Sequence, residues 1–136
     1  MKDELAALLP RLEGGEASDD LDALILCAFA APAGSYVEQS PINGAWCIYD
    51  GTTDRSGLPR LWDKRGWHRV GGWPLTQSLD AALALAERVL PGRLEGLFRE
   101  AADSTYLYLD ACPDFRARLI TSVLVAIVKA KIGEVG

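Results

Sequence analysis

Few side chains in this sequence could carry chemistry. His68 is the sole histidine, so a Ser/His/Asp or Cys/His machine would have to use it, with Cys47 or Ser56 as the nucleophile. No GxSxG nucleophile elbow accompanies either residue. His68 sits between Trp67 and Arg69 in a glycine-rich stretch, where a surface imidazole is ordinary, so no catalytic residue is assigned. A structural zinc needs four closely spaced thiolate or imidazole ligands. Cys27, Cys47, His68 and Cys112 are scattered instead, and the thiols read as small core side chains. Asp50, Asp54 and Asp63 could pair as general acid and base or hold a hard cation. The run Asp50-Gly51-Thr52-Thr53-Asp54 reads more simply as turn chemistry. Gly71-Gly72 is too short to cradle a phosphate and has no lysine after it. The expectation is a protein without metal, without cofactor and without enzymatic activity.

The aromatic residues are more informative. Trp46, Trp62, Trp67 and Trp73 are all the tryptophans of the chain, and Arg60, Lys64, Arg65 and Arg69 are interleaved with them. Trp and Arg are the residues most enriched in binding hot spots. One reading is that the rings close one end of a small core. The other is a binding surface made of Trp46, Trp62, Trp67, His68, Arg69 and Trp73. The same mixture of rings and guanidinium groups could stack on a base or nucleotide.

These residues must be positioned by a chain that alternates helical and strand patterns. Leu5, Leu8, Leu9 and Leu12 have helical spacing, with Pro10 inside predicting a helix that is short, is kinked, or ends near Leu9. A second helix is expected from Ser18 as N-cap, with Asp19, Asp20 and Asp22 in its first turn and Leu21, Leu24, Ile25, Ala28 and Phe29 on one face. Pro32 and Gly34 close it, and residues 33–44 have loop composition. Ala45–Asp50 predicts a strand, Gly51–Gly57 a turn, and Pro59–Asp63 a second short strand. Ser78 caps a third helix whose apolar face is Leu79, Ala82, Leu83, Ala86 and Leu90, stopped by Pro91-Gly92. Residues 93–100 fit either strand or helix, Leu94, Leu97 and Phe98 permitting the latter, and together with 105–110 they are read by preference as a β-hairpin turning near Ala101–Ser104. The last helix opens at Pro113 and ends at Gly133, with Phe115, Leu119, Val123, Ala126, Ile127 and Ala130 on one side. Ile120, Leu124, Val125 and Val128 widen its apolar stripe until it must be covered on most sides, by the sheet and helices or by a partner subunit. The fold class expected is α/β (α+β): a three-layer-like α-β-α sandwich with a small, mostly antiparallel or mixed sheet and three main helices.

Three segments resemble the phage α-β-α sandwich domain family. They are Leu8–Phe29 (LLPRLEGGEASDDLDALILCAF), Pro74–Leu85 (PLTQSLDAALAL) and Ala111–Lys131, of which the second resembles the family's most recognisable motif. Members are encoded in phages, prophages and gene-transfer-type clusters and carry no assigned activity. The resemblance therefore implies a fold and a genomic setting, with no site residues to carry over. Residues 35–73 stand outside it as a Trp/Gly-rich insertion in a single sandwich domain spanning 1–136.

Composition fits that picture. The chain has 136 residues, 49% hydrophobic and 24% charged, enough for a core without disulfides. Its net charge of −5 repels phosphate and anionic lipid, which disfavours nucleic acid and suits a basic protein partner or simple solubility. Three cysteines, an odd number with no CxxC pair, argue against a secreted disulfide framework, and Met1-Lys2-Asp3-Glu4 carries acids where a signal peptide has a basic start. The most apolar run, Leu119–Val128, is flanked by Arg118 and Lys129 and is about half the roughly 20 residues a membrane span needs. The expected setting is the bacterial host cytoplasm. Three functions follow: a non-catalytic phage or prophage accessory protein that binds a protein partner or forms a homo-oligomer through the last helix; an anti-defence inhibitor of a host immune complex; and a small-ligand or nucleotide binder or small enzyme using Trp67, His68 and Arg69.

Overall fold

The structure, a computed structural model, describes residues 2–62, 74–108 and 114–135. In chain order these form α1 (Lys2–Glu13), α2 (Asp19–Ala30), β1 (Tyr36–Gln39), β2 (Trp46–Thr53), β3 (Pro59–Leu61), α3 (Leu79–Val89), α4 (Leu94–Asp103), a 3-10 turn (Thr105–Tyr108) and α5 (Phe115–Val135). The fold is α+β with a small antiparallel sheet of order β1-β2-β3.

The last helix organises the rest. From Leu119 to Val128 every residue of α5 is buried except the half-buried Ala126. The cover comes from within the chain, because α1, α3, α4 and the 3-10 turn all pack on α5. The apolar stripe that suggested a homo-oligomer through this helix is thus consumed inside the molecule. The sheet takes a different neighbour: α2 lies against β1 and β2. Leu21, Ile25 and Leu26 of α2 and Ile48 of β2 join the same buried cluster as the residues of α5, so one core runs through helices and sheet.

Several sequence-based expectations need correction. Helix α1 does not stop at Leu9 but passes through Pro10 to Glu13. A mid-helix proline costs about 3 kcal/mol. Leu5, Leu8 and Leu12 are all buried, and at about 1.5–3 kcal/mol for each buried leucine their stripe offsets that cost. Residues 94–103 form a helix, not half of a β-hairpin. Leu94, Leu97 and Ala101 recur at helical spacing, with Leu97 and Ala101 buried and Leu94 packed against the core. Residues 105–108 form the 3-10 turn, with Tyr106 and Leu107 exposed in succession, which breaks the alternation a strand requires. Five α-helices thus stand among the described residues where three main ones were expected. Gly133 does not end α5, because Ala130 and Ile132 still pack against the core on its last turns. Phe115 is exposed rather than core-facing, with the Arg118 guanidinium over its ring. A strand, β1, occupies part of the expected loop 33–44. Pro113 and Cys112 lie outside the described residues.

A buried polar clamp joins the start of α2 to the turn before α3. Asp22 is buried, and its Oδ1 accepts from the Thr76 backbone N–H and hydroxyl, both at 2.6 Å. Its Oδ2 accepts from Gln77 Nε2 at 2.9 Å. Ser18 occupies the N-cap position of α2, yet its hydroxyl does not cap the helix. That hydroxyl donates to Glu16, and the Ser18 N–H donates to Thr76 Oγ1 at 3.1 Å. Arg11 then ties α1 to this junction through Glu16 and, at 2.7 Å, through Asp20. Ser78 caps α3 as expected, accepting from the Ala81 N–H.

The clamp sets a pH signature. Desolvation raises the Asp22 carboxyl above its ordinary value, against the lowering effect of the Thr76 and Gln77 hydrogen bonds. A carboxyl raised by folding binds its proton more tightly in the folded state, so its protonation favours folding as pH falls. Glu16 and Asp20 are held low, chiefly by hydrogen bonds from Arg11, and their contribution is lost as pH falls through their folded values. The Asp22→Asn variant isolates the first effect. In urea titrations at pH 7 and pH 4 the wild-type chain should gain stability relative to Asp22→Asn as pH falls; an unchanged difference, or a loss of wild-type stability relative to the variant, contradicts the assignment. Asp22→Ala leaves three donors without an acceptor and should cost about 2–3 kcal/mol in the same titration at pH 7.

Candidate binding site

Of the residues singled out in the sequence, the three-stranded meander carries Trp46, Cys47, Asp50 and Asp54, with Trp62 directly after β3. Two turns build it. Between β1 and β2, the Ser40 N–H donates to the Ala45 carbonyl at 2.7 Å, the Ala45 N–H to Asn43 Oδ1 at 3.0 Å, and Gln39 Nε2 to the Gly44 carbonyl at 2.9 Å. Between β2 and β3, Asp54 Oδ1 accepts the N–H groups of Ser56 and Leu58 at 2.8 and 3.1 Å. Asp50 Oδ1 accepts from the Thr52 N–H at 2.8 Å and from its hydroxyl, contacts that hold this carboxyl below its ordinary value. Asp50 and Asp54 are therefore both occupied by local hydrogen bonds, but only Asp54 lies in a turn: β2 runs on through Gly51, Thr52 and Thr53, which the sequence reads as turn. Asp63 lies outside the described residues, and among those described no group of three or more His, Cys, Asp or Glu side chains is placed to hold a metal.

Register decides which side chains face which way. Val37 pairs with Ile48, and both face the core, Ile48 being 3% exposed. Successive strand residues alternate faces, so Gln39 and Trp46 share this side, with Trp46 at its rim and 40% exposed. Trp62 follows β3, donates its N–H to the Ile48 carbonyl at 2.9 Å and packs against the core. Of the two described tryptophans, Trp62 closes the core edge and Trp46 is divided between core side and solvent. Trp67, His68, Arg69 and Trp73 lie outside the described residues.

The opposite face is the one sequence reasoning missed. Tyr36 pairs with Tyr49, and Tyr49 with Leu61, which sets a row of three side chains across all three strands. The two tyrosine rings stack at 5.4 Å between centroids. Leu61 is 59% exposed and Tyr36 39% exposed. Glu38 and Cys47, paired with each other, flank the row on the same side. The Tyr49 hydroxyl feels these neighbours: desolvation first, then Cys47, Glu38 and Tyr36 raise it above its ordinary value. The signal was present in the alternation of Tyr36 and Glu38 along β1, hidden inside what reads as a loop. Leu58 and Ile42, in the two turns, are also exposed. Five of the nine exposed large hydrophobics among the described residues therefore belong to residues 36–61.

Cys27 is a free thiol packed against the core, and burial, with a smaller effect from Glu4, pushes it up and away from reactivity. A cleft of about 60 Å³ between α4, the 3-10 turn and α5 is lined by Tyr108, Ser122 and Lys129 among others. That volume holds about two water molecules, too little for a metabolite. No helix among the described residues is long and apolar enough to cross a membrane.

No protein-family model matches the chain. No curated protein and no solved structure shows a significant match to it either.

The meander depends on one backbone contact. Gly51 has φ +85°, at the irregular step of β2 between the Tyr49–Leu61 and Thr53–Pro59 pairs, and a Cβ there would lie 2.7 Å from the Gly34 carbonyl oxygen. Gly51→Ala forces a left-handed alanine against backbone and should cost about 2 kcal/mol or more. Thermal unfolding checks this; an unchanged midpoint contradicts the close approach of residues 34 and 51.

Proposed function

We propose that the chain is a non-catalytic phage or prophage accessory protein of the host cytoplasm that acts by binding another protein through the open face of its β-meander. The observation that carries this reading is the row Tyr36–Tyr49–Leu61 set across three strands, with Tyr36 and Leu61 exposed and Tyr49 half-buried between them. A contiguous exposed apolar surface costs solubility unless something uses it. The resemblance of Pro74–Leu85 to the phage sandwich motif supports the setting. The occupation of Asp50 and Asp54 by local hydrogen bonds supports the non-catalytic part. The apolar face of α5 is already covered, so the partner surface moves from that helix to the sheet.

The test is capture of a partner from host lysate by tagged protein, identification of that partner, and reconstitution with purified components. The Tyr36→Ser/Leu61→Ser variant, both positions being solvent-facing, should keep its helical circular dichroism and lose at least tenfold in affinity. Trp67→Ala/Arg69→Ala probes the rest of the surface expected from the sequence and should weaken the same complex. Full affinity in the first variant would remove the sheet face from the account.

A further inference from the structure

The open sheet face has a charge as well as a shape, and this inference rests on the docking role assigned to it above. Glu38 lies on that face, exposed, two residues from Tyr36 on β1 and opposite Cys47. Among the described residues Glu38 takes part in no salt bridge. Beyond the site, the whole chain carries a net charge of −5. An apolar row beside a carboxylate, on an acidic protein, is complementary to a segment that offers apolar and basic side chains together.

Dimensions narrow the form of that segment. The outer strands of a three-stranded sheet are about 10 Å apart, and a four-residue strand is about 13 Å long. A single α-helix, about 10–12 Å across with its side chains, covers such a surface. A helix on the face also leaves the β1-β2-β3 ladder as it is. Apolar residues at i, i+3 and i+4 would meet Tyr36, Tyr49 and Leu61, and a lysine or arginine one turn away would reach Glu38.

We infer that the outer face of the β-meander, through Tyr36, Tyr49, Leu61 and Glu38, receives a basic amphipathic helix of a partner protein. Contact with apolar side chains supplies the attraction, and the carboxylate selects a basic helix over an acidic one.

Two synthetic peptides test this with the full chain: a helical Leu/Lys peptide of about 12 residues with apolar positions at helical spacing, and its Leu/Glu counterpart. The Leu/Lys peptide should bind and shift the amide resonances of Tyr36, Glu38, Tyr49 and Leu61 in the wild-type protein, whereas the Leu/Glu peptide should bind at least tenfold more weakly. Glu38→Lys should lower affinity for the Leu/Lys peptide about fivefold to tenfold. Glu87→Lys, an equal change of charge at an exposed position on α3, should leave it within twofold. The inference is overturned by no binding of the Leu/Lys peptide at millimolar concentration, by shifts that fall outside the meander, or by an equal effect of the two charge reversals. If that happens while Tyr36→Ser/Leu61→Ser still abolishes partner capture, docking on the sheet stands and only the basic helix falls. If capture also survives those substitutions, both fall.

Discussion

A helix with almost no polar side has to be covered, and in this protein that requirement fixes where everything else goes. The Leu119–Val128 stretch of α5 is surrounded by α1, α3, α4 and the 3-10 turn. One helix, α2, is left to lie against β1 and β2. The sheet is accordingly buried on its Val37–Ile48 side and open on its Tyr36–Tyr49–Leu61 side. The exposed row is a consequence of how the helices are allocated. It does not come from looseness in the sheet, whose two turns are closed by backbone and side-chain hydrogen bonds.

Polar contacts give this apolar assembly its definition. Packing of Leu, Ile, Val and Ala side chains favours burial without fixing one arrangement. Asp22 supplies the missing specification by taking three donors from Thr76 and Gln77, more than 50 residues away in sequence. Such a carboxylate is costly to bury and leaves stranded donors if removed, so it couples the second and third helices whatever its net worth. Arg11, Glu16 and Ser18 extend the same junction to α1.

Much of this was legible in the residues. The presence of α2, α3 and α5, the Ser78 cap and the first half of β2 follow from local spacing and residue type. What the sequence concealed was decided by tertiary contact. Pro10 reads as a terminator because local rules count the lost hydrogen bond and not the burial of Leu12 beyond it. Residues 94–108 offer both periodicities, and the choice fell to helix where Leu97 and Ala101 could reach α5 together. Strand β1 was hidden because four residues between Gly34 and Ser40 look like a loop until β2 pairs with them. The candidate site suffered most from this. Tryptophan content drew attention to Trp46 and Trp62, which share the core side of the sheet. The solvent-facing row depends on pairing partners 13 and 12 residues apart, as in Tyr36–Tyr49 and Tyr49–Leu61, and no local pattern shows such pairs.

The claim on which the functional reading rests is that one face of the meander is covered and the other is open. Hydroxyl-radical footprinting of the isolated protein, read residue by residue by mass spectrometry, measures this directly. Tyr36 should be oxidised at a rate close to that of the exposed Tyr106 and Leu61 at a rate close to that of the exposed Leu107, while Ile48 and Val37 are protected. Protection of Tyr36 and Leu61 to the level of Ile48 would mean that the sheet is covered on both sides and that the docking surface lies elsewhere.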